Sequence, residues 1–161
     1  MENKMKPNID ISDINLKEVA KRLNTLLADE YVLYTKTRRA HWNIQGKNFN
    51  EMHKFFERQY DALDIIIDDT AERVRALGHF ELGSLKEFLK VARLNEEHDG
   101  FSDQYHIIQN LLEDHESVIR SIRKDITVIA DEYKDLGTAA FTTGIMEHHE
   151  KMAWMLRSYL Q

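Results

Sequence analysis

The sequence predicts an all-α fold, a bundle of four long helices with a short helix in one connection. Breakers of regular structure are rare, since 161 residues include one proline and six glycines. Apolar residues recur at helical spacing through most of the chain. A chain of this size, 42% hydrophobic, is suited to one core. We therefore expect one bundle domain over residues 15–161, behind a flexible N-terminal tail of residues 1–14.

The first two long helices are separated by Gly46. Asn15 and Glu18 have the spacing of an N-terminal capping pair, which predicts a helix over residues 16–43. Asn50 is suited to cap the second helix. The turn around the glycine is short, so the two helices should pack antiparallel.

The second helix is predicted to end near Gly78, and a long connection follows. Within it, Ser84 and Glu87 have the spacing of a capping box and predict a short helix to about Arg93. The polar segment NEEHDG then follows. We interpret this connection as a crossover between two helical hairpins.

The last two long helices are predicted on either side of Gly137. The third long helix starts at Ser102, and its apolar residues recur at helical spacing. Thr138 is suited to cap the final helix, which should run to about Leu160. Four long helices with one long crossover, which itself carries a short helix, define a ferritin-like four-helix bundle.

The second helix carries two separate stripes. At about 100° per residue, one apolar stripe occupies a sector of roughly 60° and should face the core; it contains Met52, Phe56, Leu63, Ile67 and Val74. A polar stripe lies about 130° away and contains His53, Glu57, Asp61, Asp64, Asp68 and Glu72. Such a stripe is often a solvated face. Lys and Arg partners at i+4 are missing from this stripe, so its carboxylates repel one another. A bound cation or a neighbouring subunit would relieve this repulsion.

His41, His53, Asp68 and Glu72 are candidate metal ligands. Imidazole with carboxylate suits iron and, less selectively, zinc or manganese. Along one helix Asp68 lies about 22 Å and Glu72 about 28 Å from His53, so one ion cannot bind all of them within a subunit. Two copies of this helix packed antiparallel would bring the His end of each against the carboxylate end of the other. The set therefore predicts two sites at a twofold interface, although a single His of this kind is more often a cap or surface residue.

Other candidate sites have less support. The chain contains no Glu-x-x-His pair, which disfavours a metal site inside the bundle. It also lacks an H-E-x-x-H motif, a Gly-rich phosphate loop and a G-x-S-x-G elbow. His148 and His149 are adjacent and expected at the surface, whereas His115 is expected to be a packed or interface residue.

The composition of the chain limits the kinds of partner that the protein can bind. The net charge of −6 argues against a globally basic nucleic-acid surface and is compatible with cation binding. Cysteine is absent, which removes disulfides and thiol catalysis. No apolar run is long enough to span a membrane, and the start, MENKMKPNID, has no signal-peptide core. We expect a cytoplasmic protein without membrane contact.

Three stretches of the chain carry a resemblance to a known family. They are HWNIQG, FNEMHKFFE and DDTAERVRALG. Together with EKMAWMLR near the C-terminus, they resemble the Dps family, the mini-ferritins named for DNA protection in starved cells. The likeness covers nearly the whole chain and implies a hollow shell of twelve four-helix subunits.

The resemblance also implies the composition of the metal site. His41 and His53 would come from one subunit, with Asp68 and Glu72 from the other. Glu57, which stands where the family often has Asp, would be a further metal ligand.

The chemistry that the resemblance implies is a ferroxidase reaction, the oxidation of Fe(II), usually with hydrogen peroxide preferred over dioxygen. Storage of a ferric mineral in the shell would follow, and both steps protect against oxidative stress. Trp42 matches a family Trp that is thought to intercept stray oxidising equivalents. Ala140 stands where relatives commonly carry an acid near the iron-entry pore, so an acidic pore is not implied here.

Two alternatives remain open. In the first, the protein is a DNA-binding, nucleoid-compacting shell with secondary metal binding. Flexible Lys-rich termini would favour this function, but the tail has Lys4 and Lys6 against Glu2 and Asp10. DNA binding is therefore expected to be weak or absent. The second alternative is a plain helical bundle without metal, which the four-ligand match disfavours.

Overall fold

The computed structural model describes residues 6–96 and 103–161, and over these residues it contains helices and no strand. Its five helices are α1 (Asp13–Asn43), α2 (Phe49–Ala76), α3 (Leu85–Val91), α4 (Gln104–Asp131) and α5 (Leu136–Ser158). Helices α1 and α2 form one hairpin, α4 and α5 form the other, and α3 lies in the connection between them. The predicted ferritin-like helical bundle is confirmed. No helix in the described ranges is both long and apolar enough to cross a bilayer.

Two helices begin earlier than predicted because a side chain upstream provides the cap. The Ser12 hydroxyl accepts a hydrogen bond from the Asn15 backbone N–H at 3.2 Å, so α1 begins inside the segment predicted as tail. The Asp135 carboxylate accepts from the Thr138 backbone N–H at 2.8 Å, so α5 begins before the predicted cap. Either side chain satisfies an N–H group that has no partner within its helix.

Helix α2 also begins earlier than predicted, since its N-cap is Asn48 and the predicted cap, Asn50, lies inside the helix. The other predicted boundaries agree more closely. The capping box is present, with Ser84 and Glu87 bonded reciprocally. Gly46 has a φ of +116°, a conformation that favours glycine, at the α1–α2 turn. Helix α4 is capped by Asp103. Ser102, the predicted start of this helix, and the last four residues of NEEHDG lie outside the described residues.

Apolar side chains of all four long helices fill the centre of the bundle. The stripe predicted on α2 faces inward, since Met52, Phe56, Leu63 and Val74 have no exposed surface. The predicted polar stripe of α2 consequently faces outward. The apolar stripe therefore determines the rotation of α2 about its own axis.

A buried carboxylate attaches the crossover to α1. Asp29 is 1% exposed and accepts hydrogen bonds from the Arg93 backbone N–H at 2.6 Å and from the Leu94 backbone N–H at 3.3 Å. The Arg93 guanidinium also donates to Asp29 at 2.7 Å. Nearby, the Tyr31 and Phe88 rings stack at 4.2 Å and bring α3 against α1.

The histidines outside the predicted metal set divide between surface and core. His148 is exposed, as predicted. His149, also predicted at the surface, is fully buried. Adjacent helical residues point about 100° apart, so one can face solvent while the next faces the core. His115 is also fully buried, which confirms the prediction of a packed residue.

Replacing Asp29 should destabilise the fold. Asp29→Ala removes the acceptor of two backbone N–H groups and of a guanidinium, so we expect a loss of about 2–4 kcal/mol in the free energy of unfolding. Guanidinium chloride titration at one protein concentration measures it. Asp131→Ala is the matched control, because Asp131 is exposed at the end of α4, and it should change stability by less than about 0.5 kcal/mol. Equal effects would contradict the role of Asp29.

Candidate metal centre

Two of the predicted ligands meet at the end of the first hairpin. His41 lies in the last turn of α1, and His53 lies at the start of α2. Their rings stack with centroids 3.6 Å apart and planes 22° from parallel. His41 is 7% exposed and His53 is half-buried. The short turn through Gly46 therefore brings the two imidazoles into contact.

Reciprocal hydrogen bonds orient both imidazoles. His41 Nδ1 lies 2.7 Å from the backbone carbonyl of His53, and His53 Nδ1 lies 2.8 Å from the backbone carbonyl of His41. A carbonyl only accepts, so each Nδ1 carries the hydrogen. In a neutral ring, Nε2 then holds the lone pair that can bind a metal. Such bonds behind a ligating nitrogen are the usual way in which proteins orient metal-binding His.

The predicted carboxylate ligands do not join this pair within the subunit. Asp68 and Glu72 are exposed on the distal half of α2, which runs unbroken from His53 to both. A helical rise of about 1.5 Å per residue puts them about 22 Å and 28 Å away from His53. Glu57 is also exposed but lies one turn from His53. Among the residues that the structure describes, no three His, Asp or Glu side chains are arranged to hold an ion.

An arginine surrounded by aromatic rings lies beside the His pair. The Arg38 guanidinium carbon is 4.6 Å from the Tyr60 ring centre, 5.2 Å from Trp42 and 5.6 Å from Tyr34. Arg38 also donates a hydrogen bond of 2.8 Å to the Tyr34 hydroxyl. The Tyr60 ring in turn meets the His41 ring edge-on at 5.2 Å. Trp42 is 63% exposed, so its ring is open to solvent in the isolated subunit.

The charges near Tyr60 favour its neutral form. Loss of hydration raises the pKa of the Tyr60 hydroxyl above its usual range, and the negative charges of Glu57 and Asp61 raise this pKa further, against the opposing charge of Arg38. Tyr60 therefore remains a protonated phenol near neutral pH.

The aromatic neighbours of Arg38 were not identified from the sequence. A usable signal was present, since Tyr34, Arg38 and Trp42 recur every four residues along α1 and so share one face. Tyr60 carries no such signal, because it reaches this group from α2 through tertiary packing.

Comparisons with known proteins agree with the helical bundle. A family model described as a ferritin-like domain matches residues 20–161. A low temperature-induced protein of Nostoc is 42% identical over 96% of this chain and 86% of its own length. DNA protection during starvation protein 2 of Bacillus anthracis is 33% identical over 89% of this chain and 97% of its own.

A solved structure supports the same relationship. The Dps protein of Vibrio cholerae, described as a member of the ferritin-like diiron-carboxylate proteins, superposes with a TM-score of 0.89. It is 34% identical and covers 97% of both chains. The sequence motifs, the bundle and these relatives agree, and the chain belongs to the Dps family of mini-ferritins.

Proposed function

We propose that this protein is a ferroxidase and iron-storage mini-ferritin that oxidises Fe(II) at sites shared between subunits. Hydrogen peroxide is the proposed oxidant. His41, His53 and Glu57 of one subunit would form one half of each site. Asp68 and Glu72 of a twofold-related subunit would form the other half.

One observation carries the proposal. The two imidazoles are oriented side by side in one subunit, but the carboxylates on the distal half of the same helix do not reach them. His41 and His53 are already held in contact in the free subunit. Asp68 and Glu72 lie about 22 Å and 28 Å along a rigid helix from His53, and both side chains are exposed. An antiparallel second copy of α2 completes both halves at once, because a twofold axis pairs each end with the other.

The ligand types suit the proposed reaction. Imidazole nitrogens bind Fe(II), and carboxylates favour the harder Fe(III) product. Two Fe(II) ions supply the two electrons that reduce one hydrogen peroxide to two waters with two protons. Peroxide consumed in this way releases no hydroxyl radical. The ferric product then enters storage as a mineral in the shell cavity.

Trp42 is proposed to protect the site rather than to bind iron. Its exposed ring follows His41 directly in the chain and lies against Arg38. An indole at this position can donate an electron to an oxidant that leaves the site. Trp42 is therefore proposed as a redox-active residue.

The particle mass tests the shell. We expect about twelve times the chain mass of 19.0 kDa, since the shared site needs a twofold partner and the family forms closed shells. Mass photometry of the purified protein measures it. A stable monomer would contradict both the shell and the shared site. An isolated dimer would contradict the shell alone.

Subunit complementation tests the shared site. His53→Ala and Asp68→Ala proteins should each be nearly inactive in fast Fe(II) oxidation, followed by stopped-flow absorbance with peroxide. When equal amounts are dissociated and assembled together, about a quarter of the sites should be intact, because each mixed interface contains one site with both lesions and one with neither.

The matched control changes two residues of the same half-site. Mixed His41→Ala and His53→Ala subunits should recover no activity, since every site then lacks one imidazole. Recovery in this control, or none in the mixture of His53→Ala with Asp68→Ala, would show that the ligands are not divided as proposed.

DNA compaction is the second candidate function, and the names of relatives motivate it. The tail of this chain gives it little support. The Lys6 ammonium lies 2.5 Å from the Asp13 carboxylate in an exposed ion pair, and the nearby negative charge opposes its attraction to phosphate. The net charge of −6 repeated over a shell would repel phosphate at long range.

We expect weak or no binding to duplex DNA near neutral pH. A gel-shift titration of metal-free protein at about 0.15 M salt measures it. Lys4→Gln/Lys6→Gln and a variant lacking residues 1–11, which keeps the Ser12 cap, should behave like the original chain. If the original chain binds DNA tightly and either variant loses this binding, DNA compaction would be supported as strongly as iron oxidation.

A further inference from the structure

Three titratable side chains lie in the bundle centre, away from the proposed iron site. Glu30, His115 and His149 each have no exposed surface and come from α1, α4 and α5. His149 Nε2 lies 2.9 Å from Glu30 Oε1, and His149 Nδ1 lies 2.9 Å from His115 Nδ1. His149 thus uses both ring nitrogens and lies between the other two. We refer to these residues as the Glu–His–His chain.

The two contacts of His149 constrain where protons can be. An ionised Glu30 only accepts, so His149 Nε2 carries a hydrogen. The contact between the two Nδ1 atoms requires one nitrogen to donate and the other to accept. It therefore holds one proton between them. If both Nδ1 atoms carry a proton, the hydrogen bond is lost and two N–H groups face each other.

Among the described residues, we find no further titratable side chain free to take up a second proton on the inner face of α2 or next to His115 on α4. The buried side chains of α2, the remaining helix of the bundle, include polar Gln59 and Thr70 but no titratable residue. Beside His115 on α4, Asp114 is already bound to Lys36 of α1. Glu30 Oε2 and His115 Nε2 have no hydrogen-bond partner in the described residues.

Burial makes His115 resist protonation. Loss of hydration lowers the pKa of His115 well below its usual value, and the charge of His149 lowers it further. In the unfolded chain this imidazole would regain its ordinary value of about 6.5. The stability that neutral His115 contributes is therefore complete above this value and is lost as the pH falls toward the lower folded pKa.

We infer that the Glu–His–His chain is a proton-binding site that couples the packing of the bundle core to pH. Glu30 belongs to the α1–α2 hairpin, and both histidines belong to the α4–α5 hairpin. The hydrogen bond between His149 and Glu30 joins the two hairpins, and the proton shared by the two imidazoles joins α4 to α5. A further proton taken up in acid either breaks the contact between the two Nδ1 atoms or charges His115 at Nε2, which has no hydrogen-bond partner in the described residues. Both outcomes loosen the core. This inference does not depend on iron chemistry.

The test is the pH dependence of unfolding for the full-length protein. Unfolding free energy is measured by guanidinium chloride titration at several values between about pH 5 and pH 8, and its slope counts the protons taken up on unfolding. As the pH is lowered below about 6.5, the folding equilibrium constant should fall in the original chain. For each pH unit this fall should be about tenfold larger than in His115→Leu, which corresponds to one additional proton taken up per subunit on unfolding.

His148→Leu is the matched control, because it changes an exposed histidine one residue away from His149. It should retain the original slope. Equal slopes in the original chain and His115→Leu, or an equal change of slope in His148→Leu, would overturn the inference.

A measurement on the unmodified protein covers the case in which His115→Leu does not fold. Hydrogen–deuterium exchange at the imidazole C2 position, followed by mass spectrometry, reports the titration of each histidine. For His115 we expect slow exchange and a midpoint well below about 6.5. A midpoint at or above this value would refute the inference.

Discussion

The unbroken length of α2 is the constraint on which the proposed site depends. A helix of 28 residues is a rigid rod, and it holds His53 and Asp68 about 22 Å apart at opposite ends. Its apolar stripe, with Met52, Phe56 and Leu63 fully buried, prevents rotation about its axis. The polar stripe must then face outward. The proposed ligand set, divided in this way, would be complete only at an interface, so the geometry of one helix leads to the proposed second subunit.

The fixed orientation of the His41 and His53 rings complements the distance between this pair and the carboxylates of α2. Because His41 and His53 each donate to the other's backbone carbonyl, both rings are oriented before any ion arrives. Ordering two flexible imidazoles would otherwise reduce the binding free energy, and orientation in the free subunit removes that cost. The same bonds would couple metal binding at the proposed site to the α1–α2 turn. Gly46 therefore contributes to the site without contacting it, since its positive φ allows the turn that brings the rings together.

The polar core has a separate role from the interface. Relatives with an internal metal site use Glu-x-x-His pairs, and this chain has none. The bundle centre is nevertheless not apolar, because Glu30, His115 and His149 occupy it as a hydrogen-bonded chain. An apolar replacement would avoid burying the unpartnered polar atoms of Glu30 and His115. We assign the interior to joining the two hairpins and the outer face of α2 to the proposed ligands.

The sequence by itself determined the helical class, the ferritin-like topology and the family, because periodicity, Gly46 and the Ser84 capping box are local signals. Element ends shifted by a few residues, since Ser12 and Asp135 cap earlier than Asn15 and Thr138 would. Spacing along α2 predicts the types of the proposed ligands, and their role stays a prediction. Tertiary structure alone decided the contact between the imidazoles, the approach of Tyr60 and the burial of His149. These depend on how helices distant in sequence rotate and pack, which no short sequence pattern records.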